Sequence, residues 1–183
     1  MRCVTLSIVG IGILEICIYS DKIREIRVRV GIDGIKNNNE EPIIKLILDY
    51  ITGIAKPQDI IGHIELSPGL LGLAQVAMLS IPRGTVATYA QIARLLNTSP
   101  RAAGRLASAN KLPVIVPCHR VIKSDGSLGG YSVSDTYVKS RLLMMEGVSI
   151  SNGKVPKQYM VSSTVLVKNF RELLNHVSQG MVI

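Results

Sequence analysis

Val116-Pro117-Cys118-His119-Arg120-Val121 sets the reading of the whole chain. Its cysteine lies between a proline and a histidine, at the end of the apolar run Pro113-Val114-Ile115-Val116. Proline fixes its own φ and biases the preceding residue towards extended backbone, so the run is expected to arrive as a stiff segment with Cys118 at its end. A cysteine after Val-Ile-Val can be a small buried hydrophobe. Apolar burial here, however, would strand the polar side chains of His119 and Arg120, which favours a nucleophile. Thiolate is the reactive form, and a neighbouring imidazole, a cation or a helix N-terminus stabilises it. The expectation is a sulfur held as an anion beside an imidazole and an open pocket.

Upstream of this stretch, the turn Ile81-Pro82-Arg83-Gly84 ends a helical pattern over Leu70 to Leu79. Thr88 can cap a helix from Tyr89 to Leu96, with Ile92, Leu95 and Leu96 inward. Ser99-Pro100 then gives the N-cap and first turn of a second helix, Arg101-Ala102-Ala103-Gly104-Arg105-Leu106-Ala107-Ser108-Ala109. Two short helices joined by a tight turn form a helix-turn-helix. Downstream, Gly129-Gly130-Tyr131-Ser132 is a glycine-rich turn, and Leu142-Leu143-Met144-Met145-Glu146-Gly147 ends a helix at its glycine. Lys139 and Arg141 begin that helix, where a charged pair on an exposed face is the plain alternative to a contact with function.

Further out, residues 2–30 alternate as strands: Leu14, Ile16 and Ile18 with Glu15, Cys17 and Tyr19, then Ile23, Ile26, Val28 and Val30 with three arginines. Ser20-Asp21-Lys22 is a turn, and Gly31 to Glu41, with its three asparagines, is a loop. Pro42 to Ile54 reads as a helix, Ile60 to Leu66 as one more strand, and His63 as a structural histidine rather than a ligand. No cluster with metal-ligand spacing is visible in this half. After about Ser151, Gly153 to Lys157 reads as a linker. Met160 to Val167 has strand composition, and Asn169 to Val177 fits a short amphipathic helix with Phe170, Leu173, Leu174 and Val177 inward. This end is too apolar for a disordered tail.

Length and composition narrow the class. A chain of 183 residues can bury a real core in one or two small domains. It is 47% hydrophobic, yet no apolar run approaches the ~20 residues of a membrane span, so no membrane role is expected. Three cysteines make no disulfide framework and point to a reducing, cytoplasmic setting. Cys3 and Cys17 read as core residues, with a bridge between them left open. The net charge of +8 is polarised: residues 1–76 hold 8 basic and 9 acidic side chains, whereas residues 77–152 hold 9 and 3. Such a surface favours a polyanion partner. Neither a Gly-rich dinucleotide fingerprint nor a phosphate loop is present, so no organic cofactor is expected.

Pro-Cys-His-Arg-Val followed by Gly-Gly-Tyr-Ser, ordered and spaced as they are between about Ile81 and Gly147, closely resembles the O6-alkylguanine-DNA alkyltransferases, suicide DNA-repair proteins. The resemblance is weak before Ile81 and absent after about Ser151. It implies an α/β (α+β) fold: a small N-terminal domain of antiparallel sheet plus helix (1–68), then a mainly helical alkyltransferase domain with the helix-turn-helix (69–151). Residues 152–183 are an extension of open role. The implied activity is single-turnover transfer of an alkyl group from guanine O6 in double-stranded DNA, entered through the minor groove with the nucleotide flipped out. Carried over residue by residue, Cys118 is the acceptor, His119 its base and Glu146 the residue that holds His119. Tyr89 donates to the guanine ring nitrogen, and Asn110 braces the turn beside the cysteine. Ser132, Tyr131 and the backbone of Val121 meet the guanine. Arg101 is the arginine finger, and Ala102, Ala103, Gly104 and Ala107 admit the groove, with large Arg105 reaching a phosphate instead. Arg120 joins the two domains through a carboxylate, and Lys139 contacts phosphate or braces the domains. No metal is implied, and a monomer is expected. The alternatives are a damage-recognition module without catalysis, a helix-turn-helix regulator and a cysteine hydrolase. The first would lack the cysteine, and the second would need base-edge readers where alanines stand.

Overall fold

In the computed structural model, which describes residues 1–30, 41–131 and 135–180, the first three strands form an antiparallel meander. Strand β1 (Arg2–Ile8) pairs with β2 (Gly12–Tyr19), and β2 with β3 (Lys22–Arg29). The tight turn between β2 and β3 places Ser20 and Asp21 at φ 47° and 63°, the mirror-image geometry that follows the twist of a hairpin. Val4, Leu6, Leu14, Ile16, Ile23 and Ile26 point to one buried side. Helix α1 (Pro42–Thr52), opened by its proline, packs there through Ile44, Ile47 and Tyr50. Most of the predicted loop from Gly31 to Glu41 lies outside the described residues.

Two predicted strands are not strands. Within Ile60–Leu66, the chain instead completes helix α2 (Pro57–Ile61) and touches β3 through a single bridge, Ile23 to Ile64. His63 is exposed and contributes its backbone to that contact, its carbonyl accepting from Ile23 N–H at 2.8 Å. Met160 likewise makes one bridge, to Val86, and from Ser163 onward the predicted strand belongs to a helix. Short apolar runs suit a buried helix turn as well as a strand, and here packing decides.

The second half is helical. Helix α3 (Gly69–Leu79) crosses the centre, with Ala74, Val76, Ala77, Met78 and Leu79 all buried. A two-residue strand, β4 (Ala87–Thr88), leads into α4 (Tyr89–Leu95), capped by Thr88 and Gln91 reciprocally. Helix α5 (Pro100–Ser108) begins where Ser99 accepts from Ala102 N–H. A 3-10 turn, Cys118–Arg120, runs into β5 (Val121–Ile122), parallel to β4. Helix α6 (Thr136–Met145) follows. After a 3-10 turn at Lys157–Tyr159, the last described element is α7 (Ser163–Gly180), far longer than the predicted short helix.

One core runs through both halves, from Val4 to Leu173. Helix α7 buries Leu166, Phe170 and Leu173 against α2 and α3. The extension therefore docks on the body. The sheet also supports the cysteine-bearing loop directly, because Ile26 N–H on β3 donates to Lys111 O at 2.8 Å. Cys3 and Cys17, opposite one another across β1 and β2, form a disulfide. Cys3 is exposed rather than a core residue. No helix among the described residues is long and apolar enough to cross a membrane.

Candidate active site

The approach to Cys118 is a coiled turn, not the stiff extended segment that the prolines suggest. Val116 N–H closes onto Leu112 O at 2.8 Å, and Val114 between them adopts φ 73°. Left-handed backbone at a β-branched residue costs on the order of 1–3 kcal/mol and persists only where the surroundings impose it. Here Leu112, Val114, Ile115 and Val116 are all buried. Pro117, at φ −81° and ψ 63°, makes an inverse γ-turn, with Cys118 N–H donating to Val116 O at 2.8 Å. Cys118 thus opens the 3-10 turn.

Asn110 holds this loop from inside. Its Nδ2 donates to Val116 O at 3.1 Å, and its Oδ1 accepts from Leu112 N–H at 3.2 Å. Gln75 of α3, fully buried, donates to the same Oδ1 at 3.2 Å while its own oxygen accepts from Ser67 N–H. Sequence reasoning missed Gln75. A polar residue in the middle of the apolar helix 69–79 was the signal available.

Cys118 is 5% exposed, and burial pushes its thiol above the ordinary value. Asn110, the Lys139 charge, the backbone and the Tyr131 hydroxyl oppose that rise without overcoming it. The expected resting anion is therefore corrected: low-dielectric surroundings keep the proton on sulfur. His119 is 1% exposed, and burial depresses its pKa against the pull of Glu146, so the ring rests neutral.

Burial of His119 and Arg120 does not strand them, because one carboxylate serves both. Glu146 Oε1 lies 2.9 Å from His119 Nε2. Arg120 donates from Nε to Oε2 and from its terminal nitrogen to Oε1, both at 2.8 Å. The remaining Arg120 nitrogen donates to Ile81 O at 2.7 Å. Burial raises the Glu146 pKa, but His119 and Arg120 together hold it well below the usual carboxylate range. The carboxylate that Arg120 was expected to share between domains is thus Glu146 itself, and the contribution of α1 is Tyr50, whose buried hydroxyl feels the Arg120 charge. His119 Nδ1, also buried, has no partner among the described residues.

Lys139 is not on an exposed face. It is fully buried, donating at 2.7 Å to Val121 O and at 2.7 Å to Leu128 O, with its ammonium 5.8 Å from the Tyr89 ring centroid. Burial lowers its pKa to about 8, and the nearby Cys118 works against that fall. Helical periodicity could have found it, since Lys139 shares a face with buried Leu142 and Leu143. Val121 gives its N–H to Cys118 O and its carbonyl to Lys139, so only that carbonyl's second lone pair is left for a ligand.

An open cavity of about 970 Å³ lies beside this cluster, lined by Tyr89, Arg101, Gly104, Arg105, Lys123 and Tyr131 among others. Tyr131 also abuts Cys118, and burial together with that sulfur raises its pKa. Burial and Cys118 act on Tyr89 in the same direction. The two tyrosines therefore connect the cavity with the thiol. On α5, Arg101 and Arg105 are exposed and Ala102 and Gly104 are half-buried. Ala103 and Ala107 face the core, at 1% and 9% exposure, so these two cannot line a groove as expected. Ser132 lies outside the described residues.

Among the described residues the one cluster with metal-ligand potential is Cys3, Glu15 and Cys17, and its two sulfurs are bonded to each other. A bridged pair offers no thiolate.

Comparison with known proteins gives the family and the fold. Residues 74–148 match the family model of the 6-O-methylguanine DNA methyltransferase DNA-binding domain. The methylated-DNA–protein-cysteine methyltransferase of Pyrobaculum aerophilum is 50% identical over 95 residues, 52% of this chain and 60% of that protein. The chain thus aligns with somewhat more than half of that relative's length. The enzyme of the same name from Thermococcus barophilus is 34% identical over 148 residues, covering 79% of this chain and 82% of its own. The crystal structure of O6-methylguanine-DNA methyltransferase from Pyrococcus kodakaraensis superposes with a TM-score of 0.62 at 23% identity, over 80% of this chain and 98% of that one. At that identity the superposition speaks for the fold.

Proposed function

The chain belongs to the methylated-DNA–protein-cysteine methyltransferase family, and from this premise we propose that it repairs O6-alkylguanine in duplex DNA by moving the alkyl group irreversibly onto Cys118. The observation that carries the reading is one buried thiol with a buried ammonium and two cavity-lining tyrosines around it, its sequence neighbour His119 being a neutral imidazole fixed by a carboxylate.

The alkylated oxygen lies inside the helix stack, so the nucleotide must turn out, at a cost of a few kcal/mol. Arg101 and the half-buried Ala102 and Gly104 present α5 to the minor groove, where small side chains allow close approach. Arg101 fills the space that the nucleotide leaves. In the cavity Tyr89 donates to the purine ring nitrogen N3, and Tyr131 packs beside the reacting carbon.

The neutral His119 takes the thiol proton through a bridging water at its unpartnered Nδ1, and Glu146 stabilises the imidazolium that results. Lys139 supports the sulfur anion as it forms. Thiolate then attacks the alkyl carbon, the carbon–O6 bond breaks, and guanine leaves with the electron pair while Tyr89 compensates the growing negative charge. The product thioether has no hydrolysable bond, so each molecule acts once. The damaged DNA is the alkyl donor, and no cofactor enters. The three-part organisation into residues 1–68, 69–151 and 152–183 forms part of this reading, as does action by a monomer in the cytoplasm. The Cys3–Cys17 bridge is compatible with that compartment only in the class of intracellular proteins that keep disulfides.

The test is a duplex carrying radiolabelled O6-methylguanine. Label should pass to protein and stop at one equivalent. Release of methanol, or continued turnover, would contradict the proposal.

A further inference from the structure

Beyond Cys118 the chain passes through β5 into a turn, 123–127, whose first residue reaches the rim of the cavity. Lys123 lines that cavity from a different wall than Arg101 and Arg105 of α5. Its side chain and the Tyr89 hydroxyl flank Gly129: a Cβ at Gly129 would stand 3.6 Å from Lys123 Cγ and 3.5 Å from the hydroxyl oxygen. The turn is closed by Lys123 N–H to Ser127 O at 2.9 Å and Gly126 N–H to Lys123 O at 3.0 Å. One acidic residue, Asp125, lies on it, and its hydrogen bonds and ion pair go elsewhere. Ser127 chiefly lowers its pKa, and the Lys123 charge is the weakest of the influences acting that way. Its Oδ1 accepts from Ser127 N–H and Oγ, and its Oδ2 faces Lys154 at 3.9 Å. Among the described residues the Lys123 ammonium makes no hydrogen bond or ion pair of its own.

The segment 151–155, beyond the residues that match the family model, clamps this turn from behind. Val155 N–H donates to Gly126 O at 2.9 Å, and Ser127 bridges to Lys154. Gly126 sits at φ 86°, where a Cβ would lie 2.9 Å from Val155 O, so the contact admits glycine alone. A clamped turn presents its lysine at a fixed place, with less entropy to lose on binding than a free loop has.

We propose that Lys123 holds the phosphate of the everted nucleotide, so that the first residues of the C-terminal extension belong to the DNA-binding apparatus. This rests on the repair reading above. If Tyr89 meets N3, then N9, joined to N3 through C4, carries the sugar on the same edge of the purine, and the sugar–phosphate strand must leave the cavity past Tyr89. Lys123 is the exposed cation on that path, its stem lying with the Tyr89 hydroxyl around Gly129 at the cavity rim. The Lys139 ammonium near the Tyr89 ring is instead buried and spent on two carbonyls.

The experiment measures binding of Cys118→Ser protein to a duplex containing O6-methylguanine across a salt series, alone and combined with Lys123→Ala, Lys123→Arg or Lys168→Ala. Lys168 is an exposed lysine of α7 and controls for diffuse charge. Loss of one phosphate contact should flatten the log–log salt slope by about 0.9 for Lys123→Ala and leave it unchanged for the other two. With Cys118 restored, Lys123→Ala should slow transfer from duplex about tenfold and transfer from free O6-benzylguanine less than twofold. An unchanged slope, an equal effect of Lys168→Ala, or equal losses on both substrates would overturn the proposal. Were the Cys118 protein to alkylate itself from neither substrate, the repair reading would fall, while the slope would still report on Lys123.

Discussion

Arg120 grips both oxygens of Glu146, at 2.8 Å each, and so fixes the carboxylate that His119 shares. The histidine that follows Cys118 is thereby oriented by a residue 27 positions further on, itself secured by Arg120, the histidine's own neighbour in sequence. A buried carboxylate with one partner would be an uncertain anion; with two it is ionised at any physiological pH.

Glu146→Ala removes that anion and leaves Arg120 buried and unpaired. The expected cost is about 3–5 kcal/mol at pH 7 by urea unfolding. The Glu146 pKa is depressed in the folded protein, so its stabilisation is fully present above its ordinary value of 4.5 and is lost as pH falls below it towards the folded value. The gap between wild type and variant should narrow on acidification below that point. A pH-independent gap, or one under 1 kcal/mol, would contradict the pairing.

Lys139→Met should slow alkyl transfer about tenfold or more at pH 7, where the lysine is charged. In wild type the rate should decline as pH rises past about 8, as the ammonium loses its proton. Stability should move the opposite way. The folded pKa lies below the unfolded value of 10.5, so wild type gains stability relative to Lys139→Met as pH climbs from about 8 to 10.5. Stopped-flow transfer and denaturant unfolding across that window check both signs.

Arg101→Ala should impair repair of duplex by roughly a hundredfold while sparing reaction with free O6-benzylguanine, because only the duplex requires eversion. Equal losses on the two substrates would count against the flipping role.

Phe170→Ala on α7 should cost about 3–4 kcal/mol, since the ring is buried against the helical half. A loss below 1 kcal/mol would mean that the extension is not docked as the structure shows.

Signals that act over a few residues were legible in the sequence. Alternation and the turn at Ser20-Asp21-Lys22 gave the β2–β3 hairpin, Pro42 opened α1, and Thr88 and Ser99 capped α4 and α5. What depended on distant partners was not. The left-handed Val114 is imposed by packing, and no local preference announces it. Ala103 and Ala107 share the inner face of α5 that meets the core, a distinction that small size alone does not reveal. The Cys3–Cys17 bridge follows from strand register, in which residue 3 falls opposite residue 17. Cys118, His119 and Glu146 could be named through the family resemblance, since Glu146 alone would read as an ordinary surface residue. That Arg120 would join them, and that the thiol would rest protonated, follows from burial, which spacing does not encode.

Intact mass after incubation with O6-benzylguanine addresses the central claim most directly, because Cys118 is the one free cysteine. The account predicts a gain of a single benzyl group, mapped by peptide digestion to Cys118 and absent in Cys118→Ser. No gain, or a benzyl group on any other residue, would contradict it.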